Sequence, residues 1–99
     1  MKDIKKFRNL LLRQKAIALV QKQNEEDLFK TIDPKESLEK FIECLISFVT
    51  EREEGSVSIE TAELFDYDYQ IEITFSVLPY DMDNHRYEKY ILSFLSPIN

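Results

Sequence analysis

Glycine, cysteine and histidine each occur once in these 99 residues, and tryptophan not at all. With Gly55 as the only glycine, no glycine-rich loop can cradle a phosphate, which removes the common nucleotide-binding designs. Cys44 has no cysteine to pair with, so an intrachain disulfide and every multi-cysteine metal pattern are excluded. A reducing, cytoplasmic setting is the expectation. Cys44 also has no Lys, Arg or His within two residues to favour a thiolate, and reads as a small hydrophobe on a helix. His85 has no second imidazole and no evident nucleophile beside it in sequence, so it reads as a solvated turn residue. Asp81-Met82-Asp83-Asn84 has some spacing of a cation loop but lacks the central glycine and alternating ligands, so no metal and no other cofactor is expected.

Long apolar runs are missing too. No uncharged stretch approaches the roughly 20 residues needed to cross a bilayer. Arg13 and Lys15 cut short the apolar stretch that follows the basic start, so no signal peptide is expected. A basic amphipathic helix can lie on a membrane surface, but the acidic remainder of the chain would be repelled by anionic lipid.

What the chain does have is folding material and sorted charge. At 43% hydrophobic and 12% aromatic it can build one core, and residues 1–99 are expected to form a single domain. Residues 1 to 22 carry seven basic side chains against one acid, whereas residues 51 to 83 carry ten carboxylates against Arg52 alone. The whole chain has a net charge of −6 and a pI near 4.8. Such polarity steers encounters and selects partners without dictating a fold. The basic segment reads as an internal complement to the acidic half or to a second subunit, since the overall charge opposes direct binding of nucleic acid.

Periodicity supplies the expected elements. Ile4 to Gln23 is free of Gly and Pro and rich in helix formers, and predicts a first helix whose apolar arc is wider than one core contact requires. Asp33-Pro34-Lys35-Glu36 has the form of a capping box with proline at the first helical position. Leu38, Phe41, Ile42, Leu45 and Val49 then recur at helical spacing, predicting a second helix to about Arg52, closed by Gly55. Tyr69 to Val77 alternates apolar and polar residues as a half-buried strand does, with Val57 to Leu64 or Phe65 as its hairpin partner and a bulge or an early end where the alternation slips near Ala62 to Leu64. Tyr87, Tyr90, Ile91, Phe94 and Leu95 are spaced for a short C-terminal helix. The expected architecture is α+β in the order ααββα, around one core.

The candidate site is the acidic strip with interleaved tyrosines: Glu60, Glu63, Asp66, Tyr67, Asp68, Tyr69, Glu72, Tyr80, Asp81 and Asp83. Clustered carboxylates imitate the charge of a phosphate backbone, and exposed tyrosine supplies anchoring area at interfaces. The expectation is a non-enzymatic module that occupies a basic, possibly nucleic-acid-binding, site on a partner protein, in the manner of nuclease inhibitors, anti-CRISPR proteins or immunity proteins. The alternative is a homodimeric structural or regulatory adaptor joined through the first helix and an open sheet edge.

Overall fold

The computed structural model describes residues 4–12, 18–26, 28–30, 38–65 and 70–94. Two helices and five strands follow in the order αββαβββ: α1 (Ile4–Leu12), β1 (Ala18–Lys22), β2 (Leu28–Lys30), α2 (Leu38–Glu53), β3 (Gly55–Phe65), β4 (Gln70–Pro79) and β5 (Arg86–Phe94). The strands form one antiparallel sheet in the order β2-β1-β5-β4-β3. Both helices lie on one face of it. There Phe7, Leu10 and Leu11 of α1 and Phe41, Ile42, Leu45 and Val49 of α2 join the inward side chains of β1, β3, β4 and β5 in one core.

This corrects the ααββα layout. Residues 18–22, assigned by composition to the first helix, form a strand, and the expected C-terminal helix is the strand β5. The reason lies in β5 itself. Alternation puts Arg86, Glu88, Tyr90, Leu92 and Phe94 on the inner face, opposite Val77, Phe75, Ile73 and Ile71 of β4. Two of those inward residues are charged, while Tyr87 and Ile91 face outward, so the apolar residues alone mimic helical spacing. Pairing with β4 on one side and β1 on the other then outweighs local propensity. In β1, likewise, inward Lys22 and outward Leu19 hide the period of two. The wide apolar arc of the first segment thus belongs to two elements.

Helix α2 links β2 to β3 and so carries the chain from one edge of the sheet to the other. Phe48 stacks on Phe29 of β2 with ring centroids 4.7 Å apart, while Val49 and Leu45 sink into the core. The capping sequence Asp33 to Glu36 lies outside the described residues. At the far end the turn into β3 takes a single residue, Glu54, at φ 54°, the left-handed region usually left to glycine. Gly55 serves close approach instead: a Cβ there would sit 2.5 Å from the Leu78 carbonyl oxygen. The β3–β4 register shifts between Ile59 and Thr61, which places the bulge at Glu60, earlier than the expected slip.

Candidate functional site

Two carboxylates in the last turn of α2, Glu51 and Glu53, and a third in the turn residue Glu54 that follows it gather at the negative pole of the helix dipole. Glu53 points inward and its side chain is only 2% exposed. Lys22 Nζ from β1 lies 2.8 Å from one carboxylate oxygen, to which the Tyr90 hydroxyl of β5 also donates at 2.5 Å. Arg86 donates to the other oxygen at 2.9 Å and to the Glu53 backbone carbonyl at 3.2 Å. Burial pushes the Glu53 pKa up, but hydrogen bonds from Lys22, Tyr90 and Arg86 outweigh it and hold the group below the ordinary carboxylate range. Burial, then the Glu53 carboxylate, pushes the Tyr90 phenol well above its usual value. Arg86 is held further towards its charged form by Glu88 at 2.8 Å and then by Glu53. The network closes outward through the Arg52–Glu25 pair.

Glu51 and Glu54 flank that buried group and face solvent. Across from them the β4–β5 turn is pinned to the α2–β3 junction by the Tyr80 N–H, which donates to the Glu54 carbonyl at 3.3 Å, and is tightened by the Met82 N–H on the Pro79 carbonyl at 3.2 Å. Between turn and helix opens a cleft of about 640 Å³ lined by Glu51, Glu54, Tyr80, Asp81 and Met82, with Arg86 on its wall. Tyr80 and Met82 are 68% and 60% exposed. Asp83 projects from the same turn. Among the described residues no cation pairs with Glu51, Glu54, Asp81 or Asp83.

The remaining members of the acidic strip lie elsewhere. Glu63 and Glu72 face each other across the β3–β4 register on the sheet's outer face, where Lys6 of α1 meets Glu63 at 2.7 Å and Lys89 approaches Glu72 at 3.6 Å. Glu60 sits partly buried in the bulge and has a partner of its own. Asp66, Tyr67, Asp68 and Tyr69 lie outside the described residues. Tyr80, Asp81 and Asp83 follow the other end of β4, so the described part of the strip divides into partnered acids on β3 and β4 and, at one end, a group that no described cation pairs. Glu51 and Glu54 join that end group although the strip did not include them. The signal was present in the sequence: three acids closing a helix run against its dipole.

His85 finds a partner that its neighbours in sequence did not suggest. Its Nδ1 lies 2.9 Å from Ser76 Oγ on β4. The serine is 8% exposed, and among the described residues no carboxylate orients the imidazole, so the pair fastens the turn to the sheet. No group of three His, Cys, Asp or Glu among the described residues could hold a metal ion, and no described helix is long and apolar enough to cross a membrane. No family model matches the chain, and no match is found among curated proteins or solved structures. The class the coordinates define is therefore structural: an antiparallel sheet with two helices on one face and an acidic, tyrosine-bearing cleft at one end.

Proposed function

We propose that the protein is a non-catalytic binding module whose cleft at the end of α2 receives a basic segment of a partner protein. The observation that carries this reading is the contrast in compensation: Glu51, Glu54 and Asp81 line the cleft and Asp83 projects from its turn, none of them paired with a described cation because Arg86 on the cleft wall is engaged by Glu53 and Glu88, whereas Glu53, Glu63 and Glu72 are each paired. Carboxylates held together at the negative end of a helix repel one another and the dipole, and an incoming lysine or arginine relieves both. Tyr80 and Met82 add exposed aromatic and thioether surface on which the stem of such a side chain can lie. Rim charge of this kind speeds association and fixes orientation, while the aromatic contact slows release.

The size of the end group favours a compact basic site on the partner over a long nucleic-acid channel. An inhibitor or immunity protein that blocks one basic patch of a nucleic-acid-handling enzyme fits that description. A homodimeric adaptor joined through the first helix and sheet edge has less support. Helix α1 uses Phe7, Leu10 and Leu11 in the core, and the β3 edge carries a bulge and the Lys6–Glu63 pair, features that discourage edge pairing.

The test is capture of partners from host lysate at low and high salt with two charge-reversed variants. Glu54→Lys/Asp81→Lys/Asp83→Lys should abolish salt-sensitive capture, and Glu63→Lys/Glu72→Lys should leave it intact. Equal loss in both, or capture that salt does not weaken, overturns the reading.

A further inference from the structure

The helices cover one face of the sheet, and no described element lies on the other. Along β1, β5, β4 and β3 that outer face presents mainly Ser, Thr and Gln, with Leu19, Ile91 and Tyr87 among them and Leu28 beside them on β2. Tyr87 is 63% and Leu28 58% exposed. In a chain with 32% charged residues and a net charge of −6, this face is the exception. Apart from Glu60 in the bulge, which has a partner of its own, its outward charges on those four strands are Lys89, Glu72 and Glu63, of which the first two pair with each other and the third with Lys6.

We propose that this outer face is where two copies of the chain meet, sheet against sheet. Two molecules of charge −6 repel at most approaches, and a face whose described charges are already paired lets them pack together. The face is also complementary to itself. A two-fold axis along the β4–β5 seam lays β5 of one copy over β4 of the other, which brings Lys89 of each within reach of Glu72 in its partner and closes a ring of four alternating charges. Ile91 and Tyr87 supply apolar contact on either side of the ring. In that overlay β4 and β5 meet over roughly 30 Å but the five-residue β1 meets β3 over only about 17 Å, which with strands about 4.8 Å apart covers about 450 Å² per copy, or about 900 Å² for the pair, the size of a weak, reversible interface. The cleft at the end of α2 stays open in this arrangement, so the dimer is independent of the proposed partner site and doubles it.

Sedimentation equilibrium from micromolar to submillimolar protein tests the interface. The wild type should run at twice its 11.8 kDa chain mass at the upper end. Lys89→Glu and Glu72→Lys, each alone, should raise the dimer Kd by at least about 30-fold, because a substitution counts twice across a two-fold axis. An equimolar mixture of the two variants should assemble again as a heterodimer. Glu72→Lys is the sharper case: it moves the net charge towards zero, so repulsion between whole molecules would predict tighter association where this interface predicts weaker. Should either variant lose its native circular dichroism, Tyr87→Lys, at an exposed side chain, replaces it with the same expected loss. A wild type that stays monomeric throughout, a dimer indifferent to these substitutions, or a mixture no better than its components overturns the proposal; the second outcome would assign the contact to a sheet edge or a helix.

Discussion

Glu53 and its neighbour Glu54 have the same side chain and sit one residue apart at the same helix end, yet the fold treats them oppositely. Glu53 is buried, triply hydrogen-bonded and drawn into its ionised form by Lys22, Tyr90 and Arg86. Glu54 stands in solvent on a left-handed backbone, facing a cleft with other acids that no described cation pairs. A buried charge is tolerable only when every lone pair is met, so the first carboxylate is fixed by folding and ties α2 to β1 and β5. The second contributes nothing of that kind to the fold. That difference separates acids held for structure from acids free for a partner.

The largest break in the comparison comes from removing the structural member. Glu53→Ala leaves Lys22 and Arg86 beside an empty position and should cost about 3 to 4 kcal/mol of unfolding free energy in urea titrations. Acid should narrow that gap. Because the folded-state pKa of Glu53 lies below its ordinary value of 4.5, its contribution is complete above that pH and is lost as pH falls through 4.5 and then through the folded value. Wild type and variant should therefore converge in strongly acidic solution and stay a constant distance apart from pH 6 to 8. A gap that does not change on acidification would mean the carboxylate is not what Lys22 and Arg86 hold.

Gly55→Ala acts on the junction that keeps the two carboxylates in their separate settings. The added methyl would meet the backbone of Leu78 and Pro79 at 2.5 and 2.8 Å, and backbone cannot swing aside as a side chain can. The expected cost is about 2 to 3 kcal/mol, with amide shifts in nuclear magnetic resonance spectra concentrated at residues 53 to 56 and 78 to 82. Tyr90→Phe is milder. It deletes one of the three donors to Glu53 while keeping the ring against Phe75 and Phe48, and should cost about 1.5 kcal/mol. An unchanged midpoint would show that the lysine and arginine satisfy Glu53 without the phenol.

The sequence made α2 and the β3–β4 hairpin legible because each keeps one clean period: Leu38, Phe41, Ile42, Leu45 and Val49 in the first, Ile71, Ile73, Phe75 and Val77 in the second. The strands β1 and β5 were hidden by the same Glu53 network that stabilises them. Lys22, Arg86 and Glu88 occupy inward positions where an alternating pattern demands apolar residues, and Glu53, on which Lys22 and Arg86 converge, lies more than thirty residues from either. Charge sorting was visible, but its cancellation was not, since Lys6–Glu63 joins α1 to β3 and Lys89–Glu72 joins two strands, one of them read as helix. Of the candidate site, Tyr80, Asp81 and Asp83 fell where an open acidic surface forms, while Glu51 and Glu54 entered it only once the turn after Pro79 was seen folded against them.

The smallest expected effect has the opposite sign, and it bears most directly on what the cleft is for. Glu54→Gly removes a side chain that costs roughly 1 to 2 kcal/mol to hold at φ 54° and takes a negative charge off the negative end of α2. No hydrogen bond made by its side chain is lost among the described residues. Unfolding free energy should therefore rise by about 0.5 kcal/mol after the added flexibility of glycine in the unfolded chain is set against the gain. A chain that keeps a destabilising glutamate where glycine would serve the backbone better has a use for the carboxylate that folding does not supply. The same variant should weaken capture of a basic partner in proportion to salt sensitivity, so the two measurements move apart: stability up, binding down. If instead Glu54→Gly lowers stability, the glutamate belongs with Glu53 as part of the fold, and the distinction between the two acids collapses.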